Sequence, residues 1–349
     1  MQLHNMLRFK TAWAEAAGPS HEVVLSTRVR LARNLRGPFP GHLGPHTLKK
    51  TLDHAFYAIK LAGIKNAAFF KMGDLDATDR EFLVERHLAS PVLAAHPASR
   101  GVVVGDDETI VVMVNEEDHF RLAALLPGQQ LHAAHAAVDR LDDRLSSVLD
   151  FAFRDDLGYL TACPTNLGTG MRASCLVHLP ALTMTSGIDR VMEGVARAGL
   201  IARGLHGEGT KVVGDFFQLS NATGFGRTEG EILAALEKTV GAVVAREMEA
   251  REGLSNGAAK VRLEDSVHRS IALLGAARLI PFEECQHHLS RLRLGLSLGW
   301  RLGADLAVVN ELTLSTQPAH LDLLAQKVLS PLDRDALRAS LVRRRLKAS

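Results

Sequence analysis

Cysteine and aromatic residues are scarce in this chain of 349 residues. Its three cysteines, Cys163, Cys175 and Cys285, show no CxxC spacing, which excludes a disulfide framework and disfavours a zinc site. Thiols without a disulfide pattern are typical of a reducing compartment, so we expect a cytoplasmic protein. Aromatic residues make up 5% of the chain against 46% for all hydrophobic residues, so aliphatic side chains and alanine must fill the core.

An excess of charge and a long apolar run are also missing. The 41 basic and 39 acidic residues give a net charge of +2, which argues against a general nucleic-acid binder and against an acidic tail. Charged residues, glycine or proline interrupt every apolar stretch before it reaches the roughly 18 residues of a membrane span. The N-terminus lacks the apolar segment and cleavage site of a signal peptide. We therefore expect a soluble protein without a membrane partner.

The periodicity of the sequence changes in the segment Gly253–Gly257, which we interpret as a hinge. Before it, β-branched runs alternate with amphipathic stretches, a pattern that predicts mixed α and β structure. After it, every stretch has a helical period, and three prolines stand where helices would begin. The sequence therefore predicts a catalytic domain at residues 1–252 and a helical domain at 258–349.

Hydrophobic periodicity and turn signals also predict the individual elements. The predicted helices cover residues 1–20, 47–61, 133–152, 188–198, 228–251, 261–279, 281–298, 304–315, 318–327 and 331–346. Residues 23–33 are predicted to be extended or irregular. The predicted strands cover residues 102–104, 109–114, 173–179, 200–205 and 212–220, of which the first two should form a hairpin.

Two adjacent acids follow the second strand of this hairpin. Glu116 and Glu117 belong to the string NEEDHFR, just past the strand end at Val114, and loops at strand ends commonly carry chemistry. A guanidinium group has a pKa above ~12 and is a poor nucleophile while protonated. A carboxylate can orient such a group and accept its proton, so the acids indicate a guanidinium substrate. The alternative is an exposed acidic turn.

Several arginines are suited to a polyphosphate. In extended chain, Arg28 and Arg30 of the string STRVR point to the same side, and a pair of guanidinium forks matches phosphate oxygens. The alternative is a solvated basic strand edge. Arg121, Arg172 and Arg203 are isolated in the sequence, and each of them alone would be interpreted as a surface residue.

Cys163 opens the string CPTNLGTGMR after an apolar run. Nearby arginines would lower the pKa of its thiol, and the resulting thiolate could attract a cationic substrate. The alternative is a buried structural cysteine, which is our interpretation of Cys175 and Cys285. The glycine-rich string at 204–209 carries a second candidate acid, Glu208, but it matches neither GxGxxG nor GxxxxGK[ST].

Taken together, the strings STRVR, NEEDHFR, CPTNLGTGMR and RGLHGEG resemble, in that order, the motifs of the ATP:guanidino phosphotransferases, the creatine and arginine kinase family. The resemblance covers roughly residues 20–250. It implies an α/β (α+β) fold, in which an antiparallel sheet is flanked by helices and followed by a helical C-terminal domain.

Four features resemble the bacterial McsB-type protein arginine kinases within that family. STRVR begins at residue 26, so we expect this chain to lack the helical domain that helps small-molecule guanidino kinases enclose their substrate. Residues 85–91 are similar to the segment that precedes NEED in the bacterial enzymes. Residues 274–278 and 316–320 are similar to parts of their C-terminal region. Residues 334–339 fit RDxxRA, the pattern of the phosphoarginine-binding pocket in those kinases. The alternative for this last motif is a solvated basic helix.

The resemblance implies roles for individual residues. It implies Glu117 and Glu208 as catalytic acids and Cys163 as the reactive cysteine. The implied ATP-binding residues are Ser26, Thr27, Arg28, Val29, Arg30, His87, Arg121, Arg172, Ala173, Ser174, Cys175, Leu176, Arg203, Gly204, Leu205, His206, Gly207 and Glu208. The implied allosteric phosphoarginine site consists of Arg334, Asp335, Ala336, Leu337, Arg338 and Ala339. No protein metal ligand is implied, because Mg²⁺ would be held mainly by ATP and water.

The implied reaction transfers the γ-phosphoryl group of Mg-ATP to the guanidinium of an arginine in a protein. The expected partners are proteins with accessible arginines and, by resemblance, a zinc-binding McsA-type activator, a Clp-type chaperone-protease system and a second copy of the chain. Direct contact with nucleic acid is not expected. Two alternatives remain: a small-molecule guanidino kinase and a non-catalytic adaptor that binds phosphoarginine.

Overall fold

The computed structural model describes residues 3–7, 11–204 and 212–347. Its centre is an antiparallel sheet of eight strands with helices on both faces, and the chain after residue 256 is helical. The predicted fold class, an antiparallel sheet flanked by helices with a helical C-terminal region, is therefore confirmed. Within the described ranges, no helix is both long enough and apolar enough to cross a membrane.

The elements are named in chain order. The strands are β1 Val24–Arg33, β2 Ala68–Lys71, β3 Gly101–Val104, β4 Ile110–Val114, β5 Phe120–Pro127, β6 Phe153–Arg154, β7 Gly158–Tyr159, β8 Met171–His178, β9 Leu200–Gly204 and β10 Phe216–Asn221. The helices are α1 Leu3–Met6, α2 Pro45–Leu61, α3 Ala77–Glu85, α4 Pro91–Ala95, α5 Leu131–Ser146, α6 Pro180–Met184, α7 Ile188–Arg197, α8 Glu229–Leu254, α9 Gly257–Ala276, α10 Phe282–Ser297, α11 Leu306–Ser315, α12 Pro318–Ala325 and α13 Pro331–Lys347.

The sheet has the strand order β2-β3-β4-β5-β1-β8-β10-β9, while β6 and β7 form a separate hairpin. β1 lies in the middle and pairs with β5 on one side and β8 on the other. The register places Arg30 opposite Arg172 and Ala32 opposite Arg121. Because directly opposed residues project to the same face of a sheet, arginines from three separate strings share one face.

The two faces of the sheet are covered differently. On one face, α2, α5 and α8 pack against alternate strand residues such as Val29 and Leu122 in a continuous core. The opposite face is covered by the N-terminal segment, α3, α4 and the C-terminal helices, which contribute Trp13, Phe82 and Leu314 to a second core. This second cover is incomplete, and the open part of the face becomes the floor of a cleft.

Two predicted helices are much longer than the helices in the structure. The described part of residues 1–20 contains α1 and a short 3-10 turn at Ala12–Ala14 rather than one long helix. The helix predicted at 133–152 ends at Ser146. The chain leaves the helix there because Phe151 forms a β-bridge beyond the end of β1, an interaction between distant residues that periodicity does not reveal.

One strand and the hinge are also shorter than predicted. The strand predicted at 212–220 starts at Phe216, because a turn with two consecutive positive-φ residues precedes it. The hinge predicted at Gly253–Gly257 is reduced to Ser255 and Asn256, since α8 and α9 occupy the other three positions. A capping box begins α8: Glu231 accepts the backbone N–H of Thr228, and Thr228 accepts the backbone N–H of Glu231.

A buried carboxylate joins the C-terminal helices to the sheet region. Glu85, the last residue of α3, accepts hydrogen bonds from the backbone N–H groups of Ala319 (2.8 Å) and His320 (3.0 Å) at the start of α12. Its Oε2 also lies 2.7 Å from Nδ1 of His320. A carboxylate is the charge that a helix N-terminus favours. Leu314 and Ala319 pack in the same core as Phe82, so the two regions share hydrophobic contacts as well.

A second buried carboxylate fixes α8 against α6 and α10. Glu247, which is 0% exposed, pairs with Arg251 at 2.8 Å and accepts the backbone N–H groups of Ala181 and Leu182 at the start of α6. Arg251 also donates to the hydroxyl of Ser297 on α10 (2.9 Å). Loss of this one carboxylate would leave a buried cation and two N–H groups without their partner.

Glu247→Ala should lower the free energy of unfolding by about 3–5 kcal/mol, the usual cost of breaking a buried ion pair from one side. The control is Glu249→Ala on the same helix, whose pair with Arg246 is exposed and should contribute no more than about 1 kcal/mol. Urea denaturation followed by circular dichroism measures both effects. Equal destabilisation by the two variants would contradict the role of Glu247 at this junction.

Candidate active site

A cleft of about 450 Å³ lies on the open part of the second sheet face. Strands β1, β4, β5, β8, β9 and β10, the end of α3 and the loops after β4 and β7 form its walls. Its lining includes Arg28, Arg30, His87, Glu116, Glu117, Arg121, Cys163, Arg172 and Arg203. The fold therefore brings the strings STRVR, NEEDHFR and CPTNLGTGMR together around one cleft.

The arginines of the cleft repel one another. Burial, and then the charges of Arg121 and Arg172, lower the pKa of Arg28 to about 10. The pKa of Arg30 is also lowered well below its ordinary value, first by burial and then by the neighbouring arginines, and Glu116 opposes this effect only in part. A bound polyanion would offset the repulsion through charge-assisted hydrogen bonds, so this end of the cleft is suited to a polyphosphate.

The two acids of the NEEDHFR turn have different environments. Glu116 is buried and contacts the hydroxyl of Ser90 and the guanidinium of Arg121. The side chain of Glu117 is 41% exposed, contacts Arg121 and lies 3.4 Å from Nδ2 of Asn166. Glu116 therefore positions Arg121, whereas Glu117 remains accessible to a substrate in the cleft.

The loop that carries Cys163, called the cysteine loop below, is attached by one buried side chain to the turn that carries Glu116 and Glu117. Asp118 accepts hydrogen bonds from the backbone N–H of Ala162 (2.7 Å) and from the amide of Asn34 (2.5 Å). Burial raises the pKa of Asp118, although these two hydrogen bonds oppose the shift. Cys163 follows directly, and its Sγ lies 3.0 Å from Oγ1 of Thr165. The loop therefore holds a partly exposed thiol beside the acids.

The implied ATP-binding runs are divided between the two faces of the sheet. Ser26, Ser174 and Leu176 line a small recess beside the cleft. The side chains of Thr27, Val29, Ala173 and Cys175 do not line the cleft: the last three lie in the core on the opposite face, and Thr27 donates to the backbone of Gly128. The reason is the two-residue period of a strand, which prevents consecutive side chains from facing one ligand.

The glycine-rich string is only partly described by the structure. Arg203 lines the cleft, and Gly204 ends β9. The remaining implied residues lie within 205–211, outside the described ranges: Leu205, His206, Gly207 and Glu208. The role of Glu208 as a second acid therefore stays a prediction.

The RDxxRA motif lies at the start of α13, away from the cleft lining. Arg334 donates to both carboxylate oxygens of Asp322 on α12, at 2.9 and 2.6 Å. Arg338 is buried and donates to the carbonyl oxygens of Thr316 and Ile280 and to Asp335. The resemblance implies one phosphoarginine site that includes both arginines. In the structure each arginine has its own protein partners, so a phosphate would have to compete with them.

Sequence reasoning missed several polar residues of the cleft. Ser90 contacts Glu116, and Asn166 approaches Glu117. Gln218 and Ser220 lie two residues apart on β10 and both line the cleft. The alternation of side chains along a strand could therefore have predicted that the two residues share a face. Ser90 gave no comparable signal, because its position depends on how α3 and α4 pack against the sheet.

The cleft fits the Mg²⁺ that the resemblance implies. Mg²⁺ is usually bound through substrate phosphates, waters and one or two carboxylates rather than by a full protein cage. The arginine-lined part of the cleft can hold the phosphates that would carry the ion, so no further protein ligand is required. Among the described residues, one group of side chains has donor atoms spaced closely enough to hold a metal ion, and it lies outside the cleft lining. The group consists of His135, Asp139 and Glu229.

Comparison with protein families gives two matches that together span most of the chain. The model of the ATP:guanido phosphotransferase C-terminal catalytic domain matches residues 48–250. The model of the protein-arginine kinase McsB C-terminal domain matches residues 260–349.

Curated relatives are similar over almost the full length. A protein-arginine kinase from Symbiobacterium thermophilum is 42% identical over 346 residues, covering 98% of each chain. A protein-arginine kinase from Bacillus subtilis is 38% identical over 340 residues, covering 96% of this chain and 93% of the relative.

Solved structures of guanidino kinases share part of the fold. A lombricine kinase matches 67% of this chain and 68% of its own with a TM-score of 0.57 and 25% identity. A duplicated taurocyamine kinase from Schistosoma mansoni matches 71% of this chain and 37% of its own with a TM-score of 0.59 and 28% identity.

Cys163 should react with iodoacetamide faster than Cys175 or Cys285 in the folded protein at pH 8. Burial raises the pKa of both other thiols to about 12, so they stay protonated at this pH, and neither is accessible. Mass spectrometry of digested, labelled protein measures the three rates, and Cys163→Ser is the control that should remove native labelling. Comparable labelling of Cys175 or Cys285 without unfolding would contradict the assignment.

Proposed function

The chain belongs to the ATP:guanido phosphotransferase family, and on that premise we propose that it is a protein arginine kinase. Its relatives named protein-arginine kinase match it over nearly the whole length. The proposed reaction converts ATP and a protein arginine into ADP and protein phosphoarginine. The observation that carries this proposal is the presence of an arginine cluster and an accessible carboxylate, Glu117, in one cleft.

In the proposed reaction, a guanidinium nitrogen of the substrate forms a bond to the γ-phosphorus of ATP. The bond between that phosphorus and the β,γ-bridging oxygen breaks, and ADP leaves with the electron pair. Glu117 orients the guanidinium and accepts the proton that the attacking nitrogen loses. The acid is suited to this role because its side chain is 41% exposed, whereas Glu116 is buried against Ser90.

The arginines bind the phosphates and stabilise negative charge on the leaving group. Positioning and charge stabilisation dominate phosphoryl transfer, and Arg28, Arg30, Arg121, Arg172 and Arg203 all line the same cleft. Mg²⁺, when bound with the nucleotide, neutralises further phosphate charge.

We further propose auxiliary roles for the two other implied catalytic residues. Cys163 contacts the substrate cation, which is supported by its position in the cleft lining, where its Sγ lies 3.0 Å from Oγ1 of Thr165. Glu208 acts as a second orienting acid, which rests on the resemblance alone. We also propose two domains, a catalytic one at 1–252 and a helical one at 258–349 that carries the dimer surface.

The proposed partners follow from the resemblance and from the relatives. Proteins with accessible arginines are the substrates. A homodimer, a zinc-binding McsA-type activator and a Clp-type chaperone-protease system are proposed from the resemblance, and so is a cytoplasmic location. Direct binding of nucleic acid is not proposed, because basic and acidic residues are nearly balanced.

The function is tested by offering Mg-ATP with either free arginine or an unfolded protein. We expect acid-labile phosphate on arginine residues of the protein and little phosphorylation of the free amino acid. Phosphorylation of free arginine alone would favour a small-molecule guanidino kinase. Phosphoarginine binding without any transfer to either acceptor would favour a non-catalytic adaptor.

Glu117→Gln should reduce phosphate transfer by ~10²–10⁴-fold, the usual contribution of a general base. ATP affinity should stay close to that of the unchanged protein, because this acid faces the guanidinium rather than the nucleotide. Glu249→Gln, which alters an exposed acid on α8, is the control for both measurements. Near-normal turnover of Glu117→Gln would remove Glu117 from the mechanism.

We propose that residues 334–339 bind phosphoarginine and tune activity by linkage. The double variant Arg334→Ala, Asp335→Ala should keep the basal transfer rate and lose the response to phosphoarginine, since it removes one cation and the acid beside Arg338. Calorimetric titration with phosphoarginine measures the binding, and Lys347→Ala near the end of the same helix is the control. Equal binding by the double variant and the unchanged protein would contradict a pocket at this motif.

A further inference from the structure

A small recess opens beside the cleft and shares three of its residues. Its volume is about 20 Å³, and Arg28, His87 and Gln218 border both spaces. A space of this size admits one water molecule or the edge of a ring, but not a whole ligand. Because Arg28 belongs to the arginine cluster, a molecule whose phosphates lie on the cluster can extend an adjoining group to the mouth of the recess.

Trp13 forms one wall of this recess. The residue is 0% exposed, and its indole Nε1 is buried without a hydrogen-bond partner among the described residues. Nearly all buried N–H donors in folded proteins are paired, so an unpaired one calls for a specific explanation. The neighbouring cleft provides one, because a ligand bound there can bring an acceptor to the indole.

The packing around Trp13 does not itself require an N–H donor. The indole lies in the 3-10 turn Ala12–Ala14 and shares a hydrophobic core with Phe82 and Leu125. Its ring meets the ring of His87 edge-on, with centroids 5.2 Å apart and an interplanar angle of 73°. These contacts are apolar, so none of them uses the N–H donor. The nitrogen is therefore the feature of this side chain that the fold leaves unused.

We propose that Trp13 recognises the base of the nucleotide, with its indole N–H donating to a ring nitrogen of adenine directly or through one water in the recess. This inference rests on the proposed function, because it takes ATP as the ligand of the cleft. The phosphates lie on the arginine cluster, and the base lies at the His87 side of the cleft. The N-terminal segment that carries Trp13 thus becomes part of the nucleotide site.

The first test compares Trp13→Phe with the control Trp300→Phe, which alters the second of the two tryptophans of the chain. Trp13→Phe should raise the Kd and the KM for ATP by about two- to twelvefold, the effect of losing one neutral hydrogen bond, with little change in kcat. Its affinity for inorganic tripolyphosphate should be unchanged, because the arginines remain. Unchanged ATP affinity, or equal losses for ATP and tripolyphosphate, would overturn the proposal.

A second test identifies the acceptor atom. The 1-deaza, 3-deaza and 7-deaza analogues of ATP each replace one ring nitrogen by C–H. One of them should bind the unchanged protein more weakly than ATP does, and Trp13→Phe should bind that analogue and ATP equally. Equal losses for every analogue in both proteins would overturn the contact.

A third measurement does not depend on the Trp13→Phe variant. In Trp300→Phe, Trp13 is the remaining tryptophan, so its fluorescence should change when ATP binds and stay constant when tripolyphosphate binds. Identical responses to the two ligands would overturn the proposal. Failure of the unchanged protein to bind ATP at all would instead overturn the proposed function, so the two failures are distinguishable.

Discussion

The burial of several arginines beside one another in the cleft is the constraint on which the rest of the structure depends. Burial, and then the charges of Arg121 and Arg172, lower the pKa of Arg28 to about 10, which corresponds to a cost of roughly 3 kcal/mol for carrying its charge in the folded protein. A fold that tolerates this cost must supply stability elsewhere, and the two continuous cores of the sheet do so. The same repulsion prepares the site for a polyphosphate, because a bound polyanion removes it.

The position of β1 explains how a single cleft can collect these charges. β1 is one of the two central strands of the sheet, and both of its neighbours contribute an arginine on the same face, Arg121 from β5 and Arg172 from β8. The acids enter from the turn between β4 and β5, and Asp118 ties the cysteine loop to that turn through the N–H of Ala162. Glu85 connects the C-terminal helices to the cleft. It is the last residue of α3 and binds the start of α12, and His87, two residues further along the chain, lines the cleft.

Local patterns in the sequence predict the parts of the site that depend on strand geometry. The alternation of STRVR places Arg28 and Arg30 on one face, and β-branched runs around a turn place Glu117 just past a strand end, as the structure confirms. The same alternation shows why consecutive residues of a strand, such as those implied on β1 and β8, cannot all face ATP. Contacts between distant elements are not readable in this way: the partner of Arg334 is Asp322 on another helix, and periodicity along α13 cannot reveal it.

The measurement that tests the central claim most directly is thermal unfolding of Arg28→Met with and without Mg-ATP. Removing one charge from the cluster should raise the Tm of the ligand-free protein above that of the unchanged chain, because burial and repulsion of that charge are lost. The increase in Tm on adding Mg-ATP should shrink, since linkage ties this increase to nucleotide affinity. A ligand-free Tm below that of the unchanged protein, together with an undiminished increase on adding Mg-ATP, would contradict the account.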